Sequence, residues 1–378
     1  MIETTFEELF TFEALYAAHR KSRASRRSKK PIVKFETAML EHLYDMHKRL
    51  NDGTYKFGRY NTFLVYEPKC REIQNLFYSD RLVQRVLCDD LLMPYFKNKV
   101  IYDNCVCQKG KGALFALRRF EKMLREHIAD YGSEGYFLKC DILKYFPSVP
   151  HDVLKQKICS VVADQRLKAM LERVIDGYHT KKDFLDRYGI RSLGDGETTC
   201  RGIPIGNQTS QLFGMYYLDP IDRLVKEKLR VKVYSRYMDD FVLVHEDLQY
   251  LRHVKAEIEK AADKLKLSLN SKTQIFPMKN GVTYLGFRFC VGPNGEIVKT
   301  VKKMTKRRFR WRAKLLKKAY YDKVIDSERV KMSLSAFHGH LKYSRSRKLE
   351  KELRDKLDFA VKEQAENTNI DVIQTNTQ

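Results

Sequence analysis

An α+β fold is predicted for this chain, and three observations carry the expectation. Apolar residues recur with helical spacing over residues 5–19 and 36–50 and through DRLVQRVLCDDLLMPYF from Asp80. Two other stretches, GYFLKCD ending at Asp141 and VKVYSRYMDDFVLVHED ending at Asp247, have the β-branched and aromatic content of strands. The third is composition: 378 residues with 43% hydrophobic and 12% aromatic content make a folded chain that can form two or three subdomains.

Charge narrows the partner class. The 72 Lys and Arg against 48 Asp and Glu leave +24, a single-sign excess that attracts polyanions, so nucleic acid is expected ahead of an anionic membrane. The opening MIETTFEELFTFEALYAAHR has acids where a signal peptide has lysines, and eighteen apolar residues nowhere run together. A soluble, cytoplasmic protein without membrane partners is the expectation. Eight scattered cysteines, with only a CxC at Cys105 and Cys107, argue against a zinc ribbon or a disulfide framework and for reduced thiols.

Taken in order, residues 5–19 should be helical, and the basic run Arg20 to Lys30 should stay mobile until it meets a polyanion. A helix over 36–50 follows. Residues 61–98 read as two short strands and one long amphipathic helix, and CQKGKGALFALRRFEKML as a loop feeding another helix. Its GKG lacks the full spacing of a phosphate-binding loop; a basic helix start touching phosphate and a plain cap both stay open. The strand ending at Asp141 leads into a turn with Phe146 and Pro147, then a helix from His151. The hairpin register puts Asp239 and Asp240 at the tip. Basic residues fall on most turns of residues 299–321, with Phe309 and Trp311 interleaved. His338 and His340 show no acidic or cysteine neighbour in sequence and are expected to be structural or RNA-touching. The end, AENTNIDVIQTNTQ, reads as disordered.

Adjacent carboxylates repel, and in a strand they point to opposite faces. A sharp turn presenting both outward makes sense if a divalent cation offsets the charge. Asp141, Asp239 and Asp240 are the hard oxygen set that Mg²⁺ prefers, with waters and substrate phosphates completing its shell. Two such ions about 4 Å apart stabilise the attacking and leaving oxygens of an in-line displacement, the chemistry of phosphoryl transfer to a hydroxyl.

YMDD at Tyr237 to Asp240, preceded by the strand aspartate and followed by LSLNSKTQ and VTYLGFRF, resembles the palm of a reverse transcriptase, and the motifs occur in that family's order from about residue 60 to 345. The resemblance implies a right-hand polymerase. Its parts would be an N-terminal helix and basic arm (1–35), fingers (36–135), a palm of antiparallel sheet plus helices (136–290, with a helical insertion about 151–200), a helical thumb (291–358) and the tail (359–378).

It also implies roles. Lys69 and Arg71 in EPKCREI would meet the incoming dNTP triphosphate, supported by Arg81. Asp141, Asp239 and Asp240 would be the catalytic metal ligands for two Mg²⁺ ions, with Mn²⁺ a possible substitute. Phe146 would lie beneath the sugar and exclude a 2′-hydroxyl. Tyr237 and Met238 would lie against primer and template, Lys272 would protonate the pyrophosphate leaving group, and Tyr284, Leu285 and Gly286 would grip the primer. Lys306, Arg307, Arg308, Arg310 and Trp311 would lie on the template-primer duplex, bound by backbone and shape.

The loop RGIPIGNQTSQ, Arg201 to Gln211, bears on subtype. Where group II intron and retron enzymes typically read PQGxxxSP, the glutamine position is Ile205 and the proline position Gln211. With Gly206 allowing close approach, this pattern resembles the bacterial or phage-encoded enzymes of diversity-generating retroelements, which would make the enzyme error-prone and give it a cognate noncoding RNA and a small basic accessory protein as partners. A phage-defence, retron or group II intron-like enzyme is the alternative within the family. A noncatalytic RNA-binding protein on the same fold is the alternative of another class, although all three carboxylates are present. Neither an HNH endonuclease nor an RNase H domain is expected.

Overall fold

The computed structural model describes residues 1–66, 70–195 and 198–358. The expected α+β class holds: the described elements are helices and three sheets of two, four and three strands. By contacts the chain forms two compact units, residues 1–120 with 138–275, and residues 121–137 with the chain from 276 onward.

In the first unit, Thr5 and Glu8 close a capping box on the helix Phe6–Leu9, and Thr11 caps Phe12–Arg23. The expected mobile basic arm is only partly such a segment. Arg20 to Arg23 continue that helix, Arg23 Nε meets Glu36 at 2.7 Å, and Lys30–Glu36 forms a further helix with Pro31 in its first turn. Acidic partners within the unit hold two residues of the run, Lys21 on Asp89 and Arg23 on Glu36.

Strands β1 (Asn61–Val65) and β2 (Arg71–Asn75) pair antiparallel, as expected. The single long helix expected next is interrupted: Tyr78–Val86 is α-helical, Leu87–Leu92 is π-helical, and Met93–Lys97 returns to α. The wider turn has a use described below.

A four-stranded sheet follows, made of β3 (Tyr136–Asp141), β4 (Val233–Tyr237), β5 (Asp240–His245) and β6 (Gln274–Pro277), in the order β4-β5-β3-β6. The covered parts of its strands are apolar: Leu138, Cys140, Tyr234 and Phe241 to Val244 are buried, as are Leu251, Val254 and Ile258 of the helix Leu248–Lys264. Cys140 shows the cost of this burial, its thiol pushed up to about 12. All eight cysteines are free.

In the second unit, β7 (Val282–Tyr284), β8 (Phe287–Val291) and β9 (Ile297–Val301) form a meander, followed by helices Lys303–Tyr321, Ser327–Leu341 and Arg347–Leu357. Residues 276–290, which the sequence groups with the palm, cluster here. Phe309 is buried against Phe337, ring centroids 4.9 Å apart, and His340 stacks on Phe287 at 5.0 Å. His338 has the acidic partner that linear sequence did not reveal, Glu350 of the next helix. Among the described residues no helix is long and apolar enough to cross a membrane. The expected disordered tail, 359–378, lies outside the described residues.

Candidate active site

Asp141 is the last residue of β3, and its position is built by the LNSKT turn. The Asn270 amide N–H donates to the Asp141 carbonyl at 2.8 Å, and Asn270 Nδ2 donates to Asp141 Oδ2 at 3.0 Å. Asn270 Oδ1 in turn accepts from the Lys272 amide at 3.1 Å. One side chain therefore fixes the carboxylate and the backbone that bears Lys272. The Lys272 side chain itself is exposed.

The hairpin differs from expectation in one respect. Tyr237 pairs with Asp240, so only Met238 and Asp239 form the turn, and Asp240 is the first residue of β5. Asp240 is engaged by Lys139, an ion pair across β5 and β3. The two acids are thus not presented outward together. The pleat explains it: residues 139 and 141 share a face of β3, and that face supplies the cation for one acid and the second carboxylate for the other.

Asp239 and Asp141 are electrostatically coupled. Burial first, and then the Asp141 charge, push the Asp239 carboxyl above its ordinary value, while Arg71 and Lys139 pull it back. Arg71 thus reaches this site by its field from the start of β2. Two carboxylates forced near each other, one largely desolvated, are a donor set that a divalent cation fits. Among the described residues no three His, Cys, Asp or Glu side chains are gathered into a ready metal cage, and Asp240, the third ligand expected, is paired with Lys139.

The loop Arg201 to Gln211 docks on the first unit's own β2 and helices. The Gln74 amide donates to the Ile205 carbonyl at 3.0 Å, and the Ile205 amide donates to Gln74 Oε1 at 3.1 Å. Gly206 has φ +139°, and a Cβ there would sit 2.4 Å from the Gln74 carbonyl oxygen. Close backbone approach was expected; what approaches is strand β2. The following side chains continue the docking: Asn207 donates to Tyr60 Oη, Gln208 to Asp89 and Thr209 to Gln84. Asp89 lies in the π-helical turn, which brings it to Gln208. Gln211 is exposed on the helix Gln208–Tyr217, with Cys107 Sγ 3.9 Å from its Oε1.

Phe146, on the short helix Tyr145–Ser148, is half-buried, and its ring lies against the flank of Gly214, where a Cβ would come 3.7 Å from Cζ. Tyr237 and Met238 are also half-buried. Arg81 is half-buried over the Tyr78 ring at 5.4 Å, and its buried Nε has no hydrogen-bond acceptor among the described residues. Lys111 of GKG donates to the Tyr102 carbonyl and lies over that ring, so it is a local clasp. Lys69 lies outside the described residues.

Within the second unit, two residues expected to touch nucleic acid have partners in the fold. Tyr284 is fully buried, so only Leu285 and Gly286, both at positive φ, form the tip of the β7–β8 hairpin. Arg310 is committed to Glu352 through Nε and Nη2 at 2.8–3.0 Å. Arg307 and Arg308 remain exposed, Lys306 is half-buried, and Trp311 is 53% exposed.

Sequence reasoning missed Lys139, Asn270 and Arg236, the last discussed below. Lys139 was legible, standing two residues before Asp141 on one strand face; the other two needed the fold.

A search of curated proteins found no match. Among solved structures, the chain is similar to apo telomerase from Candida tropicalis truncated from the C-terminal domain, with 13% identity over 64% of this chain and a TM-score of 0.41; the chain spans 55% of that structure's length. The family model for the reverse transcriptase (RNA-dependent DNA polymerase) domain matches residues 67–289. That match takes in β2, the strand aspartate, the docking loop, the Met238–Asp239 turn and the Asn270 clasp, and on it the chain belongs to the reverse transcriptase family of RNA-dependent DNA polymerases.

Proposed function

We propose that this chain extends a primer on an RNA template, transferring deoxynucleotides from dNTPs, with Asp141 and Asp239 as the first metal ligands. The observation that carries the reading is the coupled pair itself, a desolvated Asp239 beside an Asp141 whose carboxylate is oriented by Asn270. Bound Mg²⁺, or Mn²⁺ in its place, would supply positive charge to the attacking and leaving oxygens. Asp240 joins as a ligand only by giving up Lys139, so that lysine is the cation that keeps Asp240 compensated in the metal-free state. Arg71 sits where its charge reaches the carboxylates and can meet the anionic triphosphate. Phe146 narrows the floor beneath the sugar, favouring deoxynucleotides. Lys272, fixed at its backbone by Asn270, is the general acid of this scheme.

The same reading takes the enzyme as one of low fidelity, of the diversity-generating kind. Ile205 supports it by placing an aliphatic branch where a glutamine amide would restrain the nucleotide, and apolar contacts separate similar shapes by only about 1–3 kcal/mol. Ile205→Gln should lower misincorporation opposite template adenine; an unchanged error spectrum removes this part.

Primer extension on an RNA template with Mg²⁺ and dNTPs tests the whole. Incorporation that vanishes in Asp239→Ala with Asp240→Ala is expected. No incorporation by the unaltered chain, or incorporation indifferent to that change, overturns the proposal.

A further inference from the structure

The buried side chain of Arg236 is one residue before Tyr237, and neither it nor its partner Asp222 is exposed at all. Nε donates to Asp222 Oδ1 at 2.6 Å and Nη2 to Asp222 Oδ2 at 2.5 Å, a bidentate fork. Tyr234 Oη also donates to Asp222 Oδ1 at 2.5 Å, and Asn104 Nδ2 to Oδ2 at 3.3 Å, so four donors fill the carboxylate. Burial works against the arginine's charge, but the Asp222 carboxylate outweighs it and raises the guanidinium's pKa.

Three N–H groups remain, and two of them do other work. Nη2 also reaches the Met215 carbonyl at 3.0 Å, on the helix that follows the docking loop. Nη1 donates to the Met238 carbonyl at 3.0 Å. Met238 has φ +58°, a left-handed conformation that costs a side-chain-bearing residue and persists only where surroundings hold it. Its carbonyl belongs to the peptide that delivers Asp239. The backbone of Arg236 is itself fixed: its carbonyl accepts from the Cys105 amide at 3.2 Å.

We infer that Arg236 is a positioning residue: its guanidinium, held rigid by Asp222, locks the Met238–Asp239 peptide so that the Asp239 carboxylate stays directed toward Asp141. A buried ion pair adds little to stability over apolar packing and is most defensible where it specifies one geometry. Here the geometry specified is a strained turn. The inference rests on the polymerase reading for its kinetic consequence, but its structural consequence stands without it.

The test compares Arg236→Lys, which keeps a buried cation but lacks the fork, with Tyr234→Phe, which weakens the same network and leaves the Met238 bond intact. Single-turnover extension, normalised to the fraction of enzyme that binds template-primer, should fall at least tenfold in Arg236→Lys. Its dNTP dissociation constant should change less than twofold, and the Mg²⁺ concentration for half-maximal rate should rise. Tyr234→Phe should lower thermal stability yet keep the rate within twofold. Amide exchange without metal or substrate should speed up at residues 237–239 in Arg236→Lys but not in Tyr234→Phe. Should Arg236→Lys fail to fold, Arg236→Met with Asp222→Leu keeps the core filled and removes the lock, with the same rate loss and local exchange expected. The inference is overturned if the folded variant retains its rate and local protection. An unaltered chain that cannot extend a primer condemns the polymerase reading instead, while the exchange comparison still decides the lock.

Discussion

Single residues at this site act through what they hold. Asn270 touches the Asp141 carboxylate and the Lys272 backbone at once. Its replacement by alanine removes a hydrogen bond to a charged group, about 1.5–3 kcal/mol, so single-turnover extension should slow roughly tenfold to a hundredfold; a rate within twofold would show that Asp141 orients itself. Gly206 is a case of backbone necessity. At φ +139°, with the Gln74 carbonyl where a Cβ would lie, Gly206→Ala must either move β2 or distort the loop. Denaturant unfolding should register a loss of about 1–3 kcal/mol, and an unchanged midpoint would mean the close approach is not fixed in solution.

At the scale of elements, two clasps matter. The segment Ile205 to Thr209 bonds in succession to Gln74, Tyr60, Asp89 and Gln84, so a loop of the sheet-bearing region is knitted to a strand and a helix from much earlier in the chain. In the second unit, Arg310 and Lys356 hold Glu352 down to about 2 from an ordinary 4.5. Because the folded pKa is depressed, the clasp's stabilisation is fully present above about pH 4.5 and is lost as pH falls toward about 2. The gap in thermal midpoint between the unaltered chain and Arg310→Ala should therefore be present at neutral pH and close across that window. A gap independent of pH would mean that Arg310 stabilises by packing.

For the whole molecule, charge is the dominant fact. With a net charge of +24, binding of a template-primer should be steeply salt-dependent. Arg307 and Arg308 are exposed and unengaged by any ion pair among the described residues, unlike Arg310. Replacing both by alanine should weaken binding without regard to sequence and flatten the plot of log affinity against log salt by about 0.7–0.9 per lost phosphate contact. Arg310→Ala should leave that slope unchanged. Equal slopes for the two variants would sink the distinction.

What the chain determined by itself was whatever a local pattern can encode. Alternation located β3 and β-branched and aromatic runs located β4 and β5, and the acids at their ends stood out because nothing polar interrupts Phe241 to Val244 and only Lys139 interrupts Phe137 to Cys140. The family's motif order and the excess of lysine and arginine were equally legible. Tertiary structure decided who meets whom. Asp240 is a strand residue paired with Lys139, Tyr284 is core, Arg310 belongs to Glu352, and the polar residues after Gly206 serve Tyr60, Gln84 and Asp89. Arg236 looked like one more cation in a basic chain, and only the fold reveals it as buried against Asp222 with a hydrogen bond to the turn before Asp239. The physical reason is common to all of these. Backbone pattern depends on neighbours in sequence, whereas the charge a side chain keeps and the partner it takes depend on burial, and burial is settled by residues that the fold brings from more than ten to well over a hundred positions away.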